Sequence, residues 1–272
     1  MTIDNDQRID RLVVQLQDSR KYRSLGLPAA TLRALLEVEL ARRHGEKEAL
    51  KAVRQKLHNI VAPYLGDPDY PTALAALERA FQSRDPLAVQ ETCRQILAAH
   101  VSTRERLPFA ETFYRRLFDV TGAPMLILDL ACGLNPLMLP WMHLPAGVRY
   151  YACDIHAPRV HLINRFLAHS GLPPLAEVRD VALDPPPVQA DVAFLFKEAH
   201  RLEQRLRGCN RPLWEALRVN WLLVSLPTSG MSGRRSLIDQ HRRLVSAILR
   251  GLDWQVEEIL FENEIVFCIQ KS

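Results

Sequence analysis

The run Leu126-Ile127-Leu128-Asp129-Leu130-Ala131-Cys132-Gly133-Leu134-Asn135-Pro136 is apolar, then acidic, then a tight turn of small residues. A second apolar run, Tyr150-Tyr151-Ala152-Cys153-Asp154-Ile155-His156, ends in another acid. The pattern predicts a strand, a turn, a helix start and a second strand. In doubly wound sheets the ligand sits beyond the carboxyl ends of the strands, so Asp154 is placed to take the two hydroxyls of a ribose. A pyrophosphate requires several glycines and a free helix N-terminus. Here the turn holds Gly133 alone, which fits an adenosine cofactor without phosphates, and S-adenosylmethionine (SAM) is the common one. The competing reading is a merely tight βαβ turn in which Asp154 caps a helix.

Composition narrows the class. A chain of 272 residues, 48% hydrophobic and 24% charged, is an ordinary globular chain of one large or two modest domains. No apolar run approaches the ~20 residues of a membrane span, and Met1-Thr2-Ile3-Asp4-Asn5-Asp6 is too polar for a signal peptide, so the expected location is cytoplasmic. Cys93, Cys132, Cys153, Cys209 and Cys268 are odd in number and set among apolar residues, which reads as buried thiols rather than disulfides or a metal site.

Two patterns divide the chain. Up to Thr121 the periodicity is helical: Leu32, Leu35, Leu36, Val38 and Leu40 lie on one helix, and Leu50, Val53, Leu57, Ile60 and Val61 form another stripe. Pro28, Pro63, Pro68, Pro71 and Pro86 punctuate it as helix starts and turns. From Met125 strands alternate with helices, the strands falling near 125–130, 149–154, 175–179, 191–196 and 219–226. A final pair, Trp254–Phe261 and Glu264–Ile269, turns over at Glu262-Asn263. The expectation is α/β: a Rossmann-like SAM-dependent methyltransferase sheet with a closing antiparallel hairpin over 122–272, plus an all-helical, basic domain over 1–121.

The net charge is only +4 but is unevenly spread. From Arg20 to Ile60 ten basic residues meet four acids, and from His200 to Arg250 ten arginines meet Glu203, Glu215 and Asp239. Such concentrations suit docking on phosphates. A solvated helix face explains either cluster alone, and with 7% aromatic residues extensive base stacking is not suggested.

Several segments together carry a resemblance: His100-Val101-Ser102-Thr103-Arg104-Glu105-Arg106-Leu107, the Ala-Cys-Gly-Leu-Asn-Pro turn after Asp129, Cys153-Asp154-Ile155-His156, Arg179-Asp180-Val181, Phe196-Lys197, and Ser225-Leu226-Pro227-Thr228 followed by Ser232-Gly233-Arg234. In this order the chain resembles the aminoglycoside-resistance 16S ribosomal RNA guanine-N7 methyltransferases, from about Lys21-Tyr22-Arg23 to the C-terminus. Leu57-His58-Asn59-Ile60 with Tyr64 fits the helical N-terminal domain of that family.

The resemblance implies that Tyr64, His100, Ser102 and Arg106 close over the methionine end of SAM, Arg106 pairing bidentately with its carboxylate. It also implies that Gly133 admits the cofactor, that Asp154 takes the ribose, and that Asp180 and Val181 bracket the adenine, with Phe196 and Arg205 (or Gln204) completing the pocket. Taken singly, His100 reads as a helix C-terminal residue, Arg106 as a surface base, Asp180 as a turn former and Phe196 as core.

Guanine N7 carries a lone pair and no proton, so the chemistry needs positioning and charge management rather than a general base. No Asn-Pro-Pro-Tyr signature follows Val192-Ala193-Phe194-Leu195-Phe196, in agreement with a ring-nitrogen target. Lys197 is assigned to guanine O6 or an adjacent phosphate, and Ser225, Thr228 and Arg234 to fixing the nucleotide; the alternative for Lys197 is a snorkelling residue at the sheet edge. The implied partner is 16S rRNA within the 30S subunit, with no membrane and no metal. Pro185-Pro186-Pro187, Arg207-Gly208-Cys209-Asn210-Arg211 and the loop after Thr228 depart from the family pattern. A small-molecule SAM methyltransferase and a non-catalytic RNA-binding protein are the alternatives.

Overall fold

The computed structural model describes residues 2–42, 45–61, 67–229 and 236–272. The expected strands form as β1 (Leu126–Leu130), β2 (Arg149–Asp154), β3 (Leu175–Val178), β4 (Gln189–Phe196), β5 (Arg218–Pro227), β6 (Gln255–Leu260) and β7 (Glu264–Gln270). They build one sheet in the order β3-β2-β1-β4-β5-β7-β6. The first five are parallel, while β7 inserts antiparallel between β5 and β6. This is the α/β, Rossmann-like arrangement with a closing hairpin, and the strand order reverses between β1 and β4, where such sheets hold their ligands.

Alternation along each strand sends side chains to two faces. One takes Ile127, Tyr150, Ala152, Phe194, Leu223, Val266 and Cys268, and the other Leu128, Leu130, Cys153, Ala193, Leu195, Leu222, Val224 and Phe267. The second face is covered by α9 (Ala199–Arg205), α10 (Asn210–Ala216) and α11 (Ile238–Leu249), through residues such as Leu202, Trp214 and Val245. The first is covered by α8 (Ala157–His169) and by helices from the amino-terminal half: α4 (Tyr70–Gln82), α5 (Pro86–Ala99) and α7 (Ala110–Thr121), through Leu77, Leu97, Phe113 and Leu117. Asp69 and Asp85 cap α4 and α5 by accepting from the amides of Thr72 and Leu87, each helix having proline in its first turn.

A separate core joins α1 (Thr2–Gln17), α2 (Ala29–Arg42) and α3 (Glu46–Val61) through Leu12, Leu16, Leu32, Leu36, Val53 and Leu57. The apolar cores therefore group the chain differently from its periodicity, with 70–121 sharing its packing with the sheet. The α1–α3 bundle meets the sheet domain at Gly26, whose φ is +57° and where a Cβ would lie 2.5 Å from that of Ala157. Only glycine suits that backbone and that contact.

Two connections depart from the expected strand–helix alternation. Between β1 and β2 the chain makes a 3-10 helix, Asn135–Trp141, which has Pro136 in its first turn and in which Pro140 removes an interior donor that an α-helix needs. Between β3 and β4 there is no helix: turns at 181–184 lead into Pro185-Pro186-Pro187. No helix among the described residues is long and apolar enough to cross a membrane.

Candidate active site

The turn after β1 places Ala131 and Gly133 at φ of +48° and +55°. Ala131 occupies that region without glycine's freedom, a local strain of a kind found at ligand clamps. The Gly133 amide donates to Asp154 Oδ2 at 2.9 Å, and a Cβ on Gly133 would lie 3.4 Å from the His100 ring. At the end of β2, Asp154 Oδ1 accepts from the His156 amide at 2.9 Å, and Oδ2 also accepts from Arg159 Nη1 at 3.0 Å. Asp154 thus holds the residue that precedes α8 and faces the turn, without capping the helix. Arg159, in the first turn of α8 and 1% exposed, pairs in addition with Asp67, which also accepts from the Tyr70 hydroxyl.

Over this turn runs the segment from His100 through α6 (Val101–Arg104) to Arg106. His100 ends α5 and starts α6, as its helix-terminal reading has it, but its ring is buried against the turn. Its Nδ1 lies 3.0 Å from Ser102 Oγ and its Nε2 3.9 Å from Asp67 Oδ1. Burial and then the Arg159 charge push the His100 pKa down to about 4, so it is neutral at working pH.

Arg106 is no surface base: it is 2% exposed. Its Nε and Nη2 donate to the two Glu264 oxygens at 2.9 and 2.8 Å, and Nη1 donates to Asn135 Oδ1 at 2.9 Å. The bidentate pairing expected with a cofactor carboxylate is here made with Glu264. The guanidinium also stacks over Phe113 at 4.3 Å and Phe196 at 4.6 Å. Burial works against charge at both Arg106 and Glu264, but each holds the other ionised. Asn135 passes the network on, donating to Asp129 Oδ2 at 2.9 Å beside the Tyr150 hydroxyl at 2.7 Å. Burial pushes the Asp129 pKa up to about 7 against those two bonds, and its Oδ1 has no hydrogen-bond partner among the described residues.

Beyond β3, Asp180 is 4% exposed; its Oδ2 accepts from Thr31 Oγ1 of α2 at 2.8 Å and its Oδ1 from Arg205 of α9, with Val181 buried beside it. Phe196 sits not with these groups but in an aromatic cluster, 4.7 Å from Phe194 and 5.5 Å from Phe113. Lys197 follows at φ +57°, its amide donating to Ser225 O at 2.8 Å and Oγ at 3.1 Å. Its ammonium does not snorkel: the side chain is 9% exposed and donates to Glu105 at 2.7 Å. Thr228 is held at the hairpin turn, its amide donating to Asn263 O at 3.0 Å, and Asn263 in turn donates to Glu105 O at 2.6 Å. Tyr64 and Arg234 lie outside the described residues.

The structure thus brings His100, Gly133 and Asp154 together, places Arg106 and Phe196 together, and joins Lys197 to Ser225. Sequence reasoning missed Asp67, Glu105, Arg159 and Glu264; the one available signal was a charged residue inside an otherwise apolar element, as with Glu264 before Ile265-Val266-Phe267. A cleft of about 420 Å³ lined by Val89, Leu144 and Leu172 among others has no ionisable side chain in its wall, so it offers no chemistry. No cluster of three or more metal-ligating side chains occurs among the described residues.

Comparison with known proteins places this geometry. The curated 16S rRNA (guanine(1405)-N(7))-methyltransferase of Frankia casuarinae is 32% identical over 98% of this chain and 95% of its own. The protein of the same name from Micromonospora echinospora is 30% identical, covering 98% of each. The crystal structure of 16S rRNA methyltransferase RmtF in complex with S-adenosyl-L-homocysteine superposes with a TM-score of 0.78 at 28% identity, over 97% of this chain and 98% of that one. The ribosomal RNA methyltransferase (FmrO) model matches residues 18–268, and the chain belongs to that family.

Proposed function

We propose that this chain transfers the methyl group of SAM to N7 of a decoding-site guanine in 16S rRNA, the position named for its relatives. The observation that carries the reading is the pair of buried carboxylates, Asp154 and Asp180, at the ends of adjacent parallel strands on the ligand side of the sheet. The donor set fits SAM: carboxylates for hydroxyls and an amine, a turn with no phosphate nest, and a buried Asp129 oxygen without a partner among the described residues. When bound, SAM supplies an activated methyl on sulfur.

In this reading Asp154 takes the ribose, Asp180 and Val181 hold the adenine, and His100, Ser102 and Gly133 line the methionine side. Arg106 sets the charge there under the control of Glu264, with Phe196 and Arg205 as walls. Tyr64 and Arg234 belong to the proposal by sequence alone. No side chain removes a proton, since N7 has none; Lys197, Ser225 and Thr228 orient the base for in-line approach at ~3–3.5 Å. The target guanine leaves its stack first. Arg20, Lys21, Arg23, Arg42, Lys47, Lys51 and Arg54 are exposed on or beside the α1–α3 bundle, and we assign them to surrounding phosphates. The substrate is then the assembled 30S subunit, in the cytoplasm. A cation at N7 would repel the ammonium groups of aminoglycosides, giving resistance.

Incubation with SAM and unmethylated 30S subunits, followed by reduction, strand scission and primer extension, tests this directly. One stop at the decoding-site guanine is expected. Methylation of free RNA or of a small acceptor instead would overturn it.

A further inference from the structure

We propose that Arg159 is a positioning residue for the cofactor's ribose, holding Asp154 through a relay that starts at Asp67. The inference rests on the reading of Asp154 as the ribose acid. Arg159 is almost wholly buried, and one guanidinium spans two buried carboxylates: Nη1 reaches Asp154 Oδ2 at 3.0 Å, Nη2 reaches Asp67 Oδ2, and Nε lies 3.2 Å from the Tyr70 hydroxyl. Asp67 and Tyr70 come from the start of α4, Arg159 from the first turn of α8 and Asp154 from the end of β2, so three elements converge on one cation.

A buried arginine is expensive to desolvate and persists where its fork matches carboxylates on both sides. The fork fixes more than charge. By taking one lone-pair direction of Asp154 Oδ2 while the Gly133 amide takes another, Arg159 fixes the carboxylate's rotation about its last torsion. Oδ1, which accepts only from the His156 amide among the hydrogen bonds described, is thereby left with a lone pair in a set direction. That lone pair can accept one ribose hydroxyl, and its direction is set only while the carboxylate is kept from rotating. Asp67 holds the second arm of the guanidinium, so that the two arms of the fork together keep Arg159 on Asp154.

The test is displacement of radiolabelled S-adenosylhomocysteine from the full chain by adenosine and by 2′,3′-dideoxyadenosine, in the wild type and in D154N, D67N, R159K and R159M. The wild type should prefer adenosine by about tenfold or more, the scale of charge-assisted hydrogen bonds. D154N should abolish the preference, and D67N and R159K should reduce it to a few-fold, since lysine is a point charge that reaches one carboxylate. A merely structural lesion would weaken both competitors equally and leave the ratio unchanged. Because R159M leaves two buried carboxylates without their cation, D67N and R159K carry the test if it does not fold. Loss of the preference in D154N with full retention in D67N and R159K would overturn the positioning role alone. Retention in D154N would withdraw the ribose assignment, and this proposal with it.

Discussion

Replacing Glu264 by glutamine probes the most deeply buried ion pair in the site. Glu264 and Arg106 are 0% and 2% exposed, and the carboxylate accepts both parallel arms of the guanidinium. Glutamine keeps one acceptor and turns an NH2 group toward Nη2, so one arm finds donor against donor and the buried cation loses its counter-charge. Breaking such a pair from one side typically costs about 3–5 kcal/mol. For a chain of this size that corresponds to a Tm lower by roughly 10 °C. The double variant R106M/E264M removes both charges at similar volume and should recover most of the loss, because two desolvation penalties vanish with the pair. Thermal unfolding followed by circular dichroism, with calorimetric titration of S-adenosylhomocysteine on each folded variant, provides the readout. E264Q should also bind that ligand more weakly, since the segment from His100 to Arg106 is anchored through this pair. If E264Q keeps its Tm within about 2 °C and binds more tightly, Arg106 is not an anchor but a cation that Glu264 withholds from the ligand.

Other outcomes follow from single contacts. His100 and His156 both have pKa values pushed down by burial from 6.5 to about 4, so the stability they leave intact above pH 6.5 is lost as pH falls toward 4, at about 3 kcal/mol each; His100→Gln should flatten urea-derived stability over that window, and an unchanged slope would contradict the burial argument. Asp129 has the opposite sign, gaining stability as pH falls from about 7, so Asp129→Asn should steepen the acid loss. Gly26→Ala combines φ +57° with a 2.5 Å contact, and should lower stability by about 1–3 kcal/mol, with A157G relieving the contact but not the backbone strain; equal stability of Gly26→Ala and wild type would show that the bundle does not approach α8 so closely. Lys197→Ala should cut kcat for 30S methylation by tenfold or more with little change in S-adenosylhomocysteine affinity, and full turnover would remove Lys197 from the site.

The sheet was the most legible part of the chain. Its strands alternate or run apolar according to their exposure, and a parallel strand buried on both faces, such as Ile127-Leu128-Asp129-Leu130, advertises itself. The two missing crossover helices were also written in the sequence, as Pro136 with Pro140 and as Pro185-Pro186-Pro187, but a pattern of alternating elements invites a helix wherever space allows. The allegiance of α4, α5 and α7 was not legible: an apolar stripe says that a helix is covered and not by what. Asp154 and Gly133 could be placed because the turn that joins them is local. Arg106 with Glu264, Thr31 with Asp180 and Lys197 with Glu105 could not, because separations of 158, 149 and 92 residues leave no local trace.

The insertion of β7 between β5 and β6 also orders events during synthesis. Arg106 leaves the ribosome early, yet the carboxylate that neutralises it is made 158 residues later, on a strand that must slot between two others. Until then a nascent chain can lay down β1 to β5 and pack α5 against them, but it carries Arg106 without the carboxylate that neutralises it. On the proposed reading of the site, ligand-binding competence then arrives with the last hairpin rather than accumulating as the polypeptide grows. On the same reading, a translation product that stops before β7 lacks the carboxylate that anchors Arg106, so partially made copies would not sequester cofactor.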